Sequence, residues 1–418
     1  MKFALSEILK IIQSRINSGS EVCLIGASNQ SQDLKEYFKQ HNIHIVDSPS
    51  ISTTQLLMFD ALEHVPDVYD FLKQLHTALP SGCRITNVSF GRIWGRKFTG
   101  KLNSNPINNW IPPEEIINLL ELAGFEVVSK RQSILLPIYF PIISRFVNRW
   151  IAPLPIFRWL TATNIISVRK KQTIVVAPSL SIVIAARNEA GNIAQLIDRI
   201  PKLAPSQEVI FVEGNSLDAT WETIQEEIRL QRRHGDFTVR AFKQLGKGKG
   251  DAVRLGFSEA RGDIFMILDA DISVEPEELH KFTDALLSDS CEFANGTRLV
   301  YPLEHGAMRT LNILGNRLFG LLFTFLLDQH LADTLCGTKV LWKRDYERIA
   351  EGREYFGDFD PFGDFDLLFG ASRLNLQIRD IPIHYKSRTY GSTNISRFRH
   401  GLLLFRMTGI AARRLKFI

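Results

Sequence analysis

The sequence predicts two α/β domains, residues 1–172 and 176–418, and three observations predict them. Short β-branched apolar runs alternate with segments of helical periodicity through most of the chain, the rhythm of a largely parallel sheet covered by helices on both faces. The chain has 418 residues, 45% hydrophobic and 23% charged, which excludes disorder and exceeds one small domain. A seam falls near 169–179, where Arg169, Lys170 and Lys171 close a proline-punctuated apolar stretch and Pro178 precedes a new strand-like run.

In the second block, Ser181–Ala186 reads as a strand, Ala190–Ile200 as a helix stopped by Pro201, and Glu208–Glu213 as a strand. A helix over Asp218–Arg233 opens on an Asp at its N-cap. Thr238–Phe242 is a strand, Gly250–Ala260 a helix, Ile264–Leu268 a strand and Pro276–Leu287 a helix. The first block begins in the same way, with strands at Glu21–Ile25, Ile43–Val46 and Gln55–Phe59. Its helices fall at Gln32–Gln40, Val68–Leu79 and Pro113–Ala123.

Composition removes several function classes. Cys23, Cys83, Cys291 and Cys336 are far apart, with no CxxC and no metal-ligand spacing, so buried reduced thiols are expected. No run reaches the ~20 apolar residues of a membrane-spanning helix. The net charge of +5 is unevenly placed. After Asp380 there is no acid but eight basic residues: Lys386, Arg388, Arg397, Arg399, Arg406, Arg413, Arg414 and Lys416. Such an end predicts an anionic partner.

In open α/β sheets, ligands bind beyond the carboxyl ends of the strands, and here those ends carry chemistry. Asp269-Ala270-Asp271 follows the run Ile264–Leu268: two carboxylates one residue apart where a buried strand surfaces, suited to a hard divalent cation on a diphosphate. The competing reading is a pair of loop acids before the helix at Pro276. The strand Ser181–Ala186 runs into Arg187-Asn188-Glu189, and Val212-Glu213 into Gly214-Asn215-Ser216-Leu217-Asp218. Gly246-Lys247-Gly248-Lys249-Gly250 opens a helix, where glycines allow close backbone approach and lysines supply charge for phosphate. It is not a Walker A loop.

Taken together, these residues resemble a family 2 glycosyltransferase with the GT-A (nucleotide-diphospho-sugar transferase, Rossmann-like) fold, closest to dolichyl- or polyprenyl-phosphate mannose and glucose synthases. The likeness covers nearly all of 180–418. It implies that Ala185, Arg187 and Glu189, with Asp218 nearby, hold the nucleotide base and ribose, and that Lys247 and Lys249 face the phosphates. It places Mg2+ or Mn2+ on Asp269 and Asp271, with Ser273 at the third metal position, where such synthases often have Gln. Gly296-Thr297-Arg298, Asp333–Lys339, Phe362-Gly363-Asp364-Phe365-Asp366-Leu367 and Arg388–Asn394 match the acceptor-side motifs in order; Asn394 replaces the family's Lys. Catalytic roles fall on Asp364, Asp366, Arg298 and Arg388. The implied activity is inverting transfer of a hexosyl group from a GDP- or UDP-sugar to a polyprenyl phosphate. A glycan or lipid hydroxyl is the alternative acceptor, and it would require Asp364 or Asp366 as general base.

Two apolar segments favour a lipid acceptor at the cytoplasmic face of a membrane. Leu318–Leu327 suits a helix lying in the interface. In Arg397–Ile418, Leu404, Met407, Ala411, Leu415 and Ile418 share one helical face, apart from a stripe of Arg399, Arg406 and Arg413. This predicts docking onto an anionic membrane surface, the alternative being a helix packed on its own domain. No nucleic-acid motif accompanies the basic end.

The first block resembles a truncated Rossmann-like class I SAM-dependent methyltransferase, in Phe59-Asp60-Ala61-Leu62-Glu63-His64-Val65-Pro66-Asp67, Leu79-Pro80-Ser81-Gly82 and Ala123–Val128. Its cofactor end is eroded. Ile25-Gly26-Ala27-Ser28 has one glycine, and the short link between Asp47 and Gln55 leaves no room for the adenine-binding segment. A degenerate domain that binds no SAM is expected; an active methyltransferase in a bifunctional chain is the alternative. The apolar stretch Leu135–Ile156 is predicted to rest on a membrane or on the second block.

Overall fold

In the computed structural model the described residues are 2–14, 21–26, 31–41, 43–46, 48–50, 53–91, 109, 111–172, 174, 176–230, 236–302, 310–355, 365–388, 390 and 397–418. They form two compact units. The first comprises Met1–Thr173 with Arg373–Asn375 and Arg413–Ile418; the second comprises Ile174–Ser372 and Leu376–Ala412. The last six residues therefore group with the first unit, not with the domain expected over 176–418. The reason is local: the buried Arg131 guanidinium donates to the carbonyl oxygens of Leu415 and Lys416, and Phe417 stacks on Trp150.

The strands of the first unit are β1 (Glu21–Gly26), β2 (His44–Val46), β3 (Gln55–Phe59), β4 (Arg84–Phe90), β5 (Phe125–Ser133) and β6 (Thr163–Lys170). Its helices are α1 (Lys2–Gln13), α2 (Ser31–Gln40), α3 (Val68–Ala78) and α4 (Pro113–Leu122). The sheet order is β2-β1-β3-β4-β6-β5, parallel through β4 and antiparallel at β6 and β5. The near-continuous apolar run of β3 has a physical cause. Leu56 and Met58 join the core under α3 and α4, while Leu57 and Phe59 join the core under α1 and α2, so both faces are covered. Asp67 caps α3 by accepting the Asp70 amide. His64 ends a short turn 3.6 Å from the buried Asp60, and burial, then Asp60, pushes the Glu63 carboxyl up to about 8.

The second unit holds β7 (Leu180–Ala186), β8 (Gln207–Glu213), β9 (Thr238–Lys243), β10 (Ile264–Asp269), β11 (Phe293–Thr297), β12 (Lys339–Trp342) and β13 (Ile378–Pro382). Its helices are α5 (Ala190–Arg199), α6 (Thr220–Leu230), α7 (Lys249–Glu259), α8 (His280–Leu287), α9 (Thr310–Leu327), α10 (Lys343–Glu351), α11 (Phe365–Arg373) and α12 (Arg397–Ala411). The order is β13-β11-β12-β10-β7-β8-β9. Only β12 runs against its neighbours, pairing antiparallel with both β10 and β11. β7, β8 and β10 are buried at every position but Ala185 and Asp269, and largely apolar, as a sheet covered on both faces requires. Gly256 lets α7 press onto β7, since a Cβ there would meet Val183 Cγ1 at 2.2 Å.

Among the described residues no helix is long and apolar enough to cross a membrane. Leu404, Met407 and Ala411, the apolar face expected to meet lipid, are buried within the protein. α12 is thus a packed helix with Arg406 and Phe405 outward, the Phe405 ring lying 5.1 Å from that of Phe319 on α9. On α9, Leu314, Leu318 and Leu321 are exposed.

Candidate active site

The carboxyl ends of β7, β8 and β10 lie side by side, because Asp269 is in register with Ala185, and Ala185 with Val212. This brings Glu189, Asp269 and Asp271 to one edge. Each finds a cation. Lys249 Nζ, at the start of α7, lies 2.5 Å from Asp269 Oδ1. Arg388 reaches Asp271 Oδ2 at 2.7 Å through Nη2 and Glu189 Oε1 at 3.5 Å through Nη1. The Lys247 side chain is exposed at the same helix start.

The charges respond to these neighbours. Burial alone would raise the Asp269 carboxyl, but Lys249, with Arg298 and Lys339 further off, holds it below the usual range. Glu189 goes the other way, pushed up to about 7, chiefly by burial, and then by Asp271 and Asp269 against the pull of Asn192 and Arg388. Asn192 Nδ2 fixes the far oxygen, donating to Glu189 Oε2 at 2.6 Å.

Two expected ligands have hydrogen-bonding work within the protein. Ser273 donates its hydroxyl and its amide to Asp271 Oδ1, at 2.7 and 3.0 Å, and is itself buried. It orients the carboxylate. Asp218 binds the starts of two helices: Oδ1 accepts from the Thr220 amide at 3.1 Å, and Oδ2 from the Ala190 amide at 3.3 Å. Tyr390 also donates to Oδ2, and these bonds outweigh burial and lower the Asp218 carboxyl. Asp218 is a cap, not a free side chain. Ala185 is part-exposed at the end of β7, and Arg187 is exposed just beyond it.

Arg298, expected at the acceptor, is paired within the protein. It is not an open cation. Its Nε and Nη2 donate to both oxygens of Asp333 at 2.7 and 2.9 Å, and its amide donates to Oδ2 at 3.2 Å. Asp333 is fully buried, and the pair pulls Asp333 down and Arg298 up despite the cost of burial. The Arg298 guanidinium also lies 5.0 Å from the Tyr385 ring. Asp366, the other acceptor-side candidate, is clamped by Arg353 Nε at 3.0 Å, with Arg254 Nη2 at 3.7 Å. Asp364 lies outside the described residues.

Gly337, part of the Asp333–Lys339 motif but not itself expected among the site residues, lies against the same edge. Its position ahead of β12 brings its backbone against the acidic edge: a Cβ would stand 2.2 Å from Asp269 Oδ2 and 2.3 Å from Lys249 Nζ. The phosphate-type loop is held from within by Gln244, whose Nε2 donates to the Gly248 carbonyl at 2.8 Å and to Asp251 at 2.9 Å. Gly248 takes φ 89°, a left-handed conformation that suits glycine.

In an open α/β sheet ligands bind beyond the carboxyl ends of the strands, which is where these acids and cations gather. Residues 181–349, within the second unit, match the Glycosyl transferase family 2 domain model. The chain is 35% identical over 123 residues to dolichol-phosphate mannosyltransferase of Pyrococcus furiosus, covering 29% of this chain and 33% of that protein. It is 27% identical over 233 residues to the low-salt glycan biosynthesis hexosyltransferase Agl6 of Haloferax volcanii, covering 54% and 52%. Against dolichyl-phosphate beta-glucosyltransferase of Saccharomyces cerevisiae it is 28% identical over 228 residues, covering 49% and 66%. The chain thus spans about a third to a half of the length of the first curated relatives it matches. Among solved structures, glucosyl-3-phosphoglycerate synthase from Mycobacterium tuberculosis, in complex with Mn2+, UDP and glucosyl-3-phosphoglycerate, aligns with 18% identity and a TM-score of 0.40. That alignment covers 57% of this chain and 80% of that one.

Proposed function

We propose that the chain is an inverting hexosyltransferase that moves a sugar from a GDP- or UDP-sugar to a polyprenyl phosphate at the cytoplasmic face of a membrane. One observation carries the reading: at the carboxyl edge of β10, two carboxylates and two cations are already paired, Asp269 with Lys249 and Asp271 with Arg388. A metal-diphosphate ligand needs both signs of charge there.

The donor set fits Mg2+ or Mn2+. Asp269 and Asp271 offer hard oxygens, and no group of three or more His, Cys, Asp or Glu side chains gathers as a metal site among the described residues. Two carboxylates completed by phosphate oxygens are the usual arrangement for such a cation. When bound, it would neutralise charge on the departing diphosphate. The protein's own groups do the rest. Lys249, Lys247 and Arg388 hold the phosphates and stabilise the leaving group. Glu189, Ala185 and Arg187 border the base and ribose. The acceptor attacks C1 from the face opposite the diphosphate, which inverts the anomeric centre.

The state of Asp366 favours a phosphate over a hydroxyl acceptor. Its carboxylate is already engaged by Arg353 and Arg254. A lipid phosphate is already anionic and requires no strong base. Arg298, bound to Asp333, then positions the loop Asp333–Lys339 rather than meeting the acceptor alone. The exposed Leu314, Leu318 and Leu321 support a lipid environment. For the first unit we favour a degenerate methyltransferase-like domain without SAM; micromolar SAM binding to the full chain in calorimetry would restore the bifunctional alternative.

The deciding experiment incubates the full chain with polyprenyl phosphate, Mn2+ or Mg2+ and a panel of nucleotide-sugars. One donor should give a lipid-linked sugar, and Asp271→Ala should give none. Transfer to a soluble hydroxyl acceptor, with no lipid product from any donor, would reverse the choice of acceptor.

A further inference from the structure

We infer that the segment joining β5 to β6 in the first unit is a docking surface for an anionic lipid bilayer. Ser133 and Thr163 face each other across the two antiparallel strands, so residues 134–162 form one lobe at a hairpin end. The lobe is built inside out. Its polar Ser144 and Asn148 are buried, at 0% and 7% exposure, while its apolar Ile142 and Trp159 are 82% and 73% exposed. Ile138, Phe140, Phe146 and Ile156 are exposed with them.

The buried polar groups have a specific task. Asn148 Oδ1 accepts the amides of Leu135 and Leu136 at 2.9 and 2.7 Å, and its Nδ2 donates to the Leu136 carbonyl at 2.8 Å. Ser144 Oγ accepts the Phe140 amide and donates to the Ile138 carbonyl, at 2.8 and 2.7 Å. An irregular backbone next to water needs no such internal partners, whereas one entering an apolar phase does. Ile142 sits at φ 64°, a conformation ill suited to a β-branched residue, and yet it presents the most exposed side chain of the group.

Charge selects the occupant. From Val127 to Asn188 the sequence has no Asp or Glu, and the lobe carries Arg145, Arg149 and Arg158. Two copies meeting through this face would oppose like charges. An anionic bilayer accepts both the arginines and the apolar, tryptophan-bearing tip. The inference gives the proposed transferase a place to stand on the membrane, but its test requires no sugar transfer.

The test is sedimentation of the full chain with vesicles of phosphatidylcholine alone or mixed with phosphatidylglycerol. Binding to the mixed vesicles should fall more than about tenfold in the triple variant Phe140→Ser, Ile142→Ser, Trp159→Ser. Arg145→Gln should lower it about fivefold. Ile142→Asn places a residue tolerant of positive φ at the tip, so it should fold as well as the parent and still bind more weakly. Asp271→Ala should bind as the parent does, separating docking from chemistry. Equal binding by the parent and the triple variant would overturn the inference. So would a parent that ignores vesicles but self-associates in solution through the same three residues. A parent that does not bind the vesicles yet transfers to detergent-dispersed acceptor would count against the lobe alone; a parent that docks without transfer would count against the transferase reading alone.

Discussion

Replacing Asp333 by Asn should destabilise the second unit by about 3–5 kcal/mol, the usual cost of removing one partner from a buried ion pair. Asp333 accepts from the Arg298 Nε, Nη2 and amide and from the Leu335 amide at 3.0 Å, with no exposure of its own. Asn keeps one accepting oxygen but turns an NH2 toward donors, and Arg298 remains a buried cation without a counter-charge. For a unit of this size, about 2–4 °C per kcal/mol gives a fall in melting temperature of roughly 6–20 °C. Calorimetry of the full chain at neutral pH measures it. The double variant Arg298→Met, Asp333→Leu should recover most of the loss, since an apolar pair carries no stranded charge. Asp333→Asn melting within about 2 °C of the parent would refute the reasoning. So would a double variant melting as low as the single one. Transfer activity that returns along with stability in the double variant would place Arg298 among the positioning residues. Activity that stays lost would put its guanidinium on the acceptor.

Two further outcomes follow from the same edge. Gly337→Ala should abolish transfer, because the added methyl, at a buried position, must displace the part-exposed Asp269 and Lys249 side chains; unchanged turnover in a direct assay would contradict the close approach. Glu189→Gln should stabilise the metal-free protein in a pH-dependent way. The carboxyl rises from 4.5 to about 7 on folding, so the parent loses stability as pH climbs across that window, and the loss is complete above it. The variant should therefore match the parent near pH 4.5 and exceed it above pH 7 by up to about 3 kcal/mol, and a difference flat across pH would exclude the assignment.

Much of the second unit was legible because its information is local. The runs at 181–186, 208–213 and 264–268 are strands since apolar residues bury both faces, and the acids after them fall where the sheet surfaces. The Asp218 cap was legible for the same reason. What was not legible depends on approach through space. Arg298 and Asp333 lie 35 residues apart, and no periodicity announces that one neutralises the other. The Ser273 hydroxyl turning back on Asp271 depends on a local bend, with Ile272 at φ 53°. In the tail, periodicity identified the face of Leu404, Met407 and Ala411 correctly as a face. It carried no information on whether protein or lipid would cover it, because both are apolar. The lobe at 134–162 posed the converse difficulty: composition showed it apolar, but only the structure shows its polar side chains turned inward.

The reversed direction of β12 has a consequence for how this domain can vary. A strand parallel to β7 and β10 presents its exit to the reactive edge, so what it offers there is fixed by its own register. β12 presents its entrance, and the residues that arrive, Asp333 to Thr338, come from a connection whose length the sheet does not dictate. Insertions between Leu327 and Asp333 can therefore remodel what this connection brings to the edge while the pairing of β7, β8 and β10 stays as it is. The two sides of the edge are governed by separate stretches of chain, and Gly337, lying against Asp269, is the point at which they must still agree.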